Sequence, residues 1–424
     1  MAAHGPFQPQ LWPRLRDPAA WASTTDIFFV LVALSLPWST SLVAIFAVAA
    51  LITMAPFFDA KAFLEIFKRP VSALPVALFL LAVAGMLWSE APWGARLYSA
   101  GPAAKLLMVP VLFYHFERSA RGIQVFAAFL VSCIALMAMS WLVAFDPHLA
   151  LKRGADYGVP VKSYIDQSQE FALCAVVLAY PVISLLRARR LAAALLLSAV
   201  IAGFVVNMAF VVVSRTALVT MPVMLAVFAA LHLKWRTSLI IFCVAIVLSG
   251  LAFAASPNLR WTLQTFSRDY RLYSEQNAPT SMGLRLQFWQ KSLRFVADAP
   301  MFGHGTGSIE HLFEQAAVGK IGASAEVVRN PHNQTLSVAV QWGLLGVLLL
   351  YAMWLAHLCL FGGEGLMAWI GLMVVVQNFF TSLFNSHIFD FNEGWMYVLG
   401  VGIAGAAALK ALRSRQECRN TLAR

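Results

Sequence analysis

The sequence predicts an all-α, polytopic membrane protein of about twelve transmembrane helices with one long hydrophilic loop late in the chain. Three observations predict it. Of 424 residues, 60% are hydrophobic and only 12% charged, and mean hydropathy is +0.73. Soluble domains run near half apolar and a quarter charged. Apolar stretches of about 17–25 residues recur from end to end, the length a bilayer demands of a helix. These stretches are continuous rather than short and alternating, which excludes a transmembrane barrel.

Twelve apolar segments follow in order, at about 26–38, 41–57, 73–88, 101–114, 123–145, 167–186, 191–213, 217–233, 237–254, 333–360, 366–384 and 394–409. The first two are short and meet at Pro37-Trp38-Ser39-Thr40, so they read either as two spans or as one interrupted span. Segment 101–114 is also short. Basic residues set the orientation. Short segments on one face hold Lys61, Lys68, Arg69, Arg118, Arg121, Arg187, Arg189, Arg190, Lys234, Arg236 and the basic residues of both termini, Arg14, Arg16, Lys410, Arg413, Arg415, Arg419 and Arg424. The other face holds only Arg96, Lys152, Arg153 and Lys162 in short loops. The positive-inside rule therefore puts both termini in the cytoplasm and the long loop outside, in a bacterium the periplasm. The predicted organisation is residues 1–254 as the first nine spans, 255–332 as a periplasmic loop capping a cavity, and 333–424 as the last three spans with a basic cytoplasmic tail. The net charge of +11 is thus topological and does not call for nucleic acid. Met1 to Thr25 contain no apolar core with a small-residue cleavage site, so no cleaved signal peptide is expected.

Within the long loop, Met282 to Ala297 have helical spacing and Ala299-Pro300 stop the run. Phe302-Gly303-His304-Gly305-Thr306-Gly307-Ser308 reads as a flexible turn. The glycines are also spaced to cradle an anion through backbone N–H groups, a weaker reading because the flanking strand and lysine of a nucleotide loop are missing. Cys133, Cys174, Cys243, Cys359 and Cys418 have no metal-ligand spacing, and no Asp-x-Asp pair occurs. Neither disulfides nor a metal nor another cofactor is expected.

Ionisable residues at membrane depth mark function or snorkel to the headgroups. Lys105 lies within a short span, and snorkelling and function fit it equally. Arg215, between two spans in Ser214-Arg215-Thr216-Ala217, favours function, because guanidinium forks bind phosphate or carboxylate in bidentate fashion. Histidine titrates near neutrality, so His332, in Arg329-Asn330-Pro331-His332-Asn333-Gln334 at the end of the loop, suits a general base, although a lone loop histidine is more often an ordinary surface or hydrogen-bonding residue. His304 and His311 share the loop. Asp166 and Glu170 start a helix, where capping explains them, and Asp390 and Glu393 are second-choice bases.

The order of these motifs resembles the O-antigen ligase and O-antigen polymerase superfamily. Ser214-Arg215-Thr216-Ala217 is followed by Gly283-Leu284-Arg285-Leu286-Gln287-Phe288-Trp289, then by Pro300 and the three glycines, then by Pro331-His332-Asn333-Gln334 and Trp342-Gly343-Leu344-Leu345-Gly346. The likeness covers about residues 210–350, and the span layout extends it to most of the chain. It is nearest the O-antigen ligases of lipopolysaccharide assembly. The resemblance implies a GT-C-like fold in the bacterial inner membrane. It implies metal-independent, inverting transfer of polysaccharide from undecaprenyl pyrophosphate to lipid A–core at the periplasmic face. It further implies that Arg215 and Arg285 hold the pyrophosphate and that His332 serves transfer. Lys105 joins the pyrophosphate group by its depth and charge, and Asn333 and Gln334 are candidates for binding or orienting the acceptor. An O-antigen polymerase or a protein O-oligosaccharyltransferase would share the donor chemistry. A lipid-linked glycan transporter is the alternative of another class. Against it, hydropathy shows no two-fold repeat, and the basic residues sit at one face rather than at the midplane.

Overall fold

The structure is a computed structural model that describes residues 17–154 and 156–422, with side chains through residue 414. Arg14, Arg16 and Arg424, and the side chains of Arg415, Cys418 and Arg419, therefore lie outside the described residues. No strand occurs among those described; the chain is a polytopic helical bundle.

Helices α1 (Pro18–Ser35) and α2 (Thr40–Met54) are two separate spans that pack on each other, each started by a side-chain cap, Asp17 and Ser39. A short amphipathic α3 (Ala60–Phe67) leads into α4 (Pro70–Ala84). The short segment expected at 101–114 belongs to a longer span, Trp93–Phe116. There α5 (Trp93–Ala100) and α6 (Met108–Phe116) are joined by a 3₁₀ stretch, Gly101–Leu107, that carries Lys105. Then come α7 (Gly122–Phe145), α8 (Tyr164–Arg187), α9 (Leu191–Phe210), α10 (Arg215–His232) and α11 (Trp235–Ala255). No residue of α11 is fully buried, so most of its apolar surface faces outward from the bundle, as lipid contact requires. After the long loop follow α15 (Gln334–Leu360), α16 (Leu366–Thr381) and α17 (Phe391–Leu422). Eleven helical stretches are long and apolar enough to cross a bilayer, and α16 is a shorter apolar helix of 16 residues. All twelve expected apolar segments are thus helical. The main core joins α1, α4, α6, α15, α16 and α17 through residues such as Phe29, Leu112, Trp354, Met373 and Tyr397.

The loop itself holds three helices: α12 (Pro257–Gln276), the expected α13 (Ser281–Asp298) and α14 (Ser308–Ala317). Its apolar cluster is small. Phe288, Ile309 and Phe313 close around Val340, a residue of α15, so the loop folds on the bundle rather than around a core of its own.

What fixes it there is a break in α15 at Gly343, whose φ of 60° and ψ of −154° no side-chain-bearing residue adopts readily. Segment 300–305 enters this break. His304 and Gly305 donate their N–H groups to the carbonyls of Val340 and Gln341 at 2.8 Å, and Leu344 donates to Pro300 at 2.8 Å. The glycine turn is therefore pinned rather than flexible, contrary to the sequence reading. Its N–H groups are also spent: Thr306 donates to Gly85 O at 3.0 Å and Gly307 to the Gln341 side chain at 2.9 Å. No anion cradle is left. Gly303, Gly305 and Gly307 all have positive φ, and a Cβ on any of them would collide with the backbone of residues 341–342, 89 or 95–96. Gly343→Ala is expected to destabilise the folded protein by roughly 1–3 kcal/mol, read as a lowered thermal midpoint of the purified protein. An unchanged midpoint would mean that the break does not anchor the loop.

Candidate functional site

Most of the polar side chains that sequence reasoning singled out lie in two adjoining places: a cavity between the starts of α8, α10 and α13, and the start of α15 against the turn 382–390. Arg215 is the first residue of α10, and its side chain lies half-buried against Asp269 of α12, Nη2 to Oδ2 3.5 Å. Arg285 lies in the second turn of α13, after the Thr280 cap. Both line one cavity of about 630 Å³ with Tyr164, Asn258, Trp261, Asp269 and Ser281. Burial draws the Arg285 pKa below its ordinary value; the Tyr164 hydroxyl opposes that shift and the Arg215 charge adds to it. A guanidinium stays protonated under such a shift. The cavity thus sets the guanidiniums of Arg215 and Arg285 beside the carboxylates of Asp156 and Asp269, and two guanidinium forks on one cavity suit an incoming anion with several oxygens.

His332 is not among the cavity-lining residues but lies close by. Its ring stacks on Phe288, centroids 6.2 Å apart, and Phe288 is one helical turn along α13 from Arg285. The backbone of His332 has φ 53°, a left-handed conformation that costs about 1 kcal/mol outside glycine. It is held there because its N–H donates to Asn330 Oδ1 at 2.9 Å. The ring Nδ1 meets Asn385 Oδ1 at 2.9 Å. Burial lowers the His332 pKa; the hydrogen bond to Asn385 opposes this, Arg285 and His387 add to it, and Asp390 resists. The net fall leaves the imidazole neutral at pH 7, the form a general base needs.

Behind Asn385 lies a buried cluster. Asn385 Nδ2 donates to Asp390 Oδ2 at 2.6 Å. His387, 1% exposed, sits 3.4 Å from Asp390 and 3.6 Å from Glu393. Burial alone would depress the His387 pKa, but the carboxylates, Glu393 foremost, outweigh it and push it up to about 9. Among the described residues, His387, Asp390 and Glu393 are the one group whose donor atoms, within 4.8 Å of one another, could converge on a cation. With the imidazole protonated the same geometry is a charge-balanced cluster. The Lys105 ammonium favours that reading, since it donates to the backbone carbonyls of Phe389, at 3.1 Å, and Asp390.

The remaining expected residues take supporting places. Lys105 does not line the arginine cavity; it ties the turn before α17 to the 3₁₀ stretch. Asn333 caps α15 by accepting from Leu336 N at 3.0 Å and donates to Leu383 O at 3.1 Å. Gln334 is fully buried, donating its N–H to Ser382 O and accepting from Ile388 N at 2.9 Å. Both fix the 382–390 turn against the helix that follows His332. His304 donates its Nε2–H within its own loop, to Phe295 O at 2.8 Å, and His311 pairs with Gln315 and Glu314. The cap of α8 is Ser163, which accepts from Asp166 N at 3.2 Å, so neither Asp166 nor Glu170 is the cap expected of them; Glu170 is buried and accepts from Asn392 at 3.1 Å, a bundle contact. Sequence reasoning missed Asp269, Asn385 and His387. Their polar character was visible, but their partners are 54, 53 and 6 residues away along the chain.

Residues 204–351 match the model of the family described as O-antigen ligase. That stretch contains Arg215, Arg285 and His332. An uncharacterized protein of Haemophilus influenzae is 29% identical over 143 residues, 32% of this chain and 36% of that protein, so the match spans about a third of the relative's length. The span pattern, the motif order and the family match agree: over residues 204–351 this chain is similar to the O-antigen ligase family.

Proposed function

We propose that the protein transfers a glycan from undecaprenyl pyrophosphate to a sugar hydroxyl of lipid A–core at the periplasmic face of the inner membrane. The observation that carries this reading is the pair Arg215 and Arg285 in one cavity, with His332 stacked on Phe288 one helical turn from Arg285. An enzyme facing the periplasm has no nucleotide sugars, so its donor arrives activated and membrane-bound. The two guanidiniums grip the diphosphate and stabilise the negative charge that grows on it. As the acceptor oxygen attacks the anomeric carbon, its proton passes to His332. The bond from that carbon to the pyrophosphate oxygen breaks, and its electron pair leaves with the diphosphate. One displacement inverts the anomeric centre.

The test mixes purified protein, undecaprenyl-pyrophosphate glycan and lipid A–core in the presence of chelator. Joined product supports the proposal. Product formed only when a second lipid-linked glycan or a peptide serine is offered would make the protein a polymerase or a protein O-oligosaccharyltransferase instead. Movement of donor across a bilayer without joining would make it a transporter.

A pH profile follows from His332. Its pKa is lowered, so the neutral base persists below pH 6.5, the value of an ordinary histidine. The acid limb of kcat/KM is expected below that pH, with activity lost as pH falls through the shifted pKa. A limb well above pH 6.5 would assign it to another group.

A further inference from the structure

We propose that Asn385 is a positioning residue for His332: it fixes the imidazole as the Nδ1–H tautomer, so that Nε2 carries the lone pair that takes the acceptor proton. This rests on the reading of His332 as the base.

Which way an asparagine amide points is commonly ambiguous, because its oxygen and nitrogen look alike. Here two groups with no such ambiguity settle it from opposite ends. From one end, the backbone N–H of His332 can only donate, and it donates to Asn330 Oδ1 at 2.9 Å; the Ser386 hydroxyl donates to the same oxygen at 2.8 Å. Asn330 must then present its NH₂, which donates to Asn385 Oδ1 at 3.0 Å. From the other end, an ionised carboxylate can only accept. Asp390 Oδ2 takes a hydrogen bond from Asn385 Nδ2 at 2.6 Å, so Asn385 must turn its NH₂ toward Asp390 and its oxygen toward His332. Both chains give the same orientation. Asn385 Oδ1 is therefore an acceptor facing His332 Nδ1 at 2.9 Å, and that nitrogen must carry a hydrogen. A neutral imidazole has one N–H, which leaves Nε2 bare.

Asp390 in turn is held by ion pairing to His387 and by the Lys105 contact to its carbonyl. The order carboxylate, amide, imidazole does what a carboxylate does directly in a hydrolase triad: it fixes tautomer and ring angle, and it favours the imidazolium once formed. The charged and titratable groups that face His332 are Arg285 from α13 and Asp390 and His387 from the 382–390 turn.

The test has two arms on the full-length protein. In the first, histidine ¹⁵N resonances of wild type and H332Q identify the His332 signals; the expected pattern at pH 8 is a protonated Nδ1 and an unprotonated Nε2. This arm does not depend on turnover. In the second, N385L and N385D are compared by joining assay. N385L, with no acceptor, is expected to lower kcat by about 10–100-fold, the usual loss when an orienting partner is removed, with donor and acceptor KM within about twofold. N385D still accepts from Nδ1 and adds negative charge, but it loses the donor to Asp390, so it is expected to recover part of the kcat lost in N385L and to move the acid limb to higher pH. Nε2–H as the wild-type tautomer, wild-type kcat in N385L, or equal loss in both variants with an unmoved acid limb would each overturn the assignment. A wild type with the expected tautomer but no joining activity would instead sink the proposed function.

Discussion

His332→Ala is expected to lower the rate of glycan joining by about 10²–10⁴-fold, the contribution of a positioned general base, while donor binding stays near wild type. The split follows from where His332 sits. It does not line the arginine cavity, and its ring is engaged by Phe288 on one side and Asn385 on another. Removing it leaves Arg215 and Arg285 in place to hold the diphosphate. It also relieves the strained backbone at φ 53° only in part, since alanine pays a similar cost there. The folded protein should therefore survive, which a thermal midpoint within a few degrees of wild type would show. Joining at the wild-type rate would remove His332 from the chemistry.

Arg215→Met and Arg285→Met are each expected to lower kcat by about 10²–10³-fold, the usual loss on removing one preorganised donor from a developing anion. Donor KM should rise as well, because the charge is present on the diphosphate before and after bond breaking. Lysine at either position keeps the charge and loses the planar fork, so partial activity is expected. The two sites differ in their surroundings. Arg215 is ion-paired to Asp269, and its loss leaves a buried carboxylate facing the donor, which repels it. Among the described residues no carboxylate is ion-paired to Arg285, so Arg285→Met removes charge without stranding an opposite one. The larger loss is expected at Arg215, and Asp269→Asn combined with Arg215→Met should restore part of it. Unchanged kcat and donor KM in both single variants would dissolve the proposed clamp.

The fold was legible in the sequence because the bilayer imposes length and apolarity on each span, and these can be read without knowing any partner. All twelve apolar segments are helices, and α13 lies where the period of Leu284, Phe288 and Phe295 put it. The glycine turn was misread for a specific reason. Gly303, Gly305 and Gly307 signal positive φ, which a flexible turn and a tightly docked one share. Only the break at Gly343, 36 residues beyond Gly307, distinguishes them, by freeing the carbonyls that the turn caps. The same limit applied at the site. Arg215, Arg285 and His332 stood out because charge in that order carries a family resemblance. Asn385 carries no charge and belongs to a turn between two spans, so nothing in its neighbours announces that it faces His332. Lys105 was singled out by depth, and depth does not distinguish a ligand for phosphate from a strut between backbone carbonyls.

The most direct measurement is the structure of the protein with undecaprenyl pyrophosphate bound. The diphosphate is expected between the guanidiniums of Arg215 and Arg285, with the side of the cavity nearest Phe288 and His332 left open to the acceptor. A diphosphate bound elsewhere on the bundle, touching neither arginine, would contradict the account.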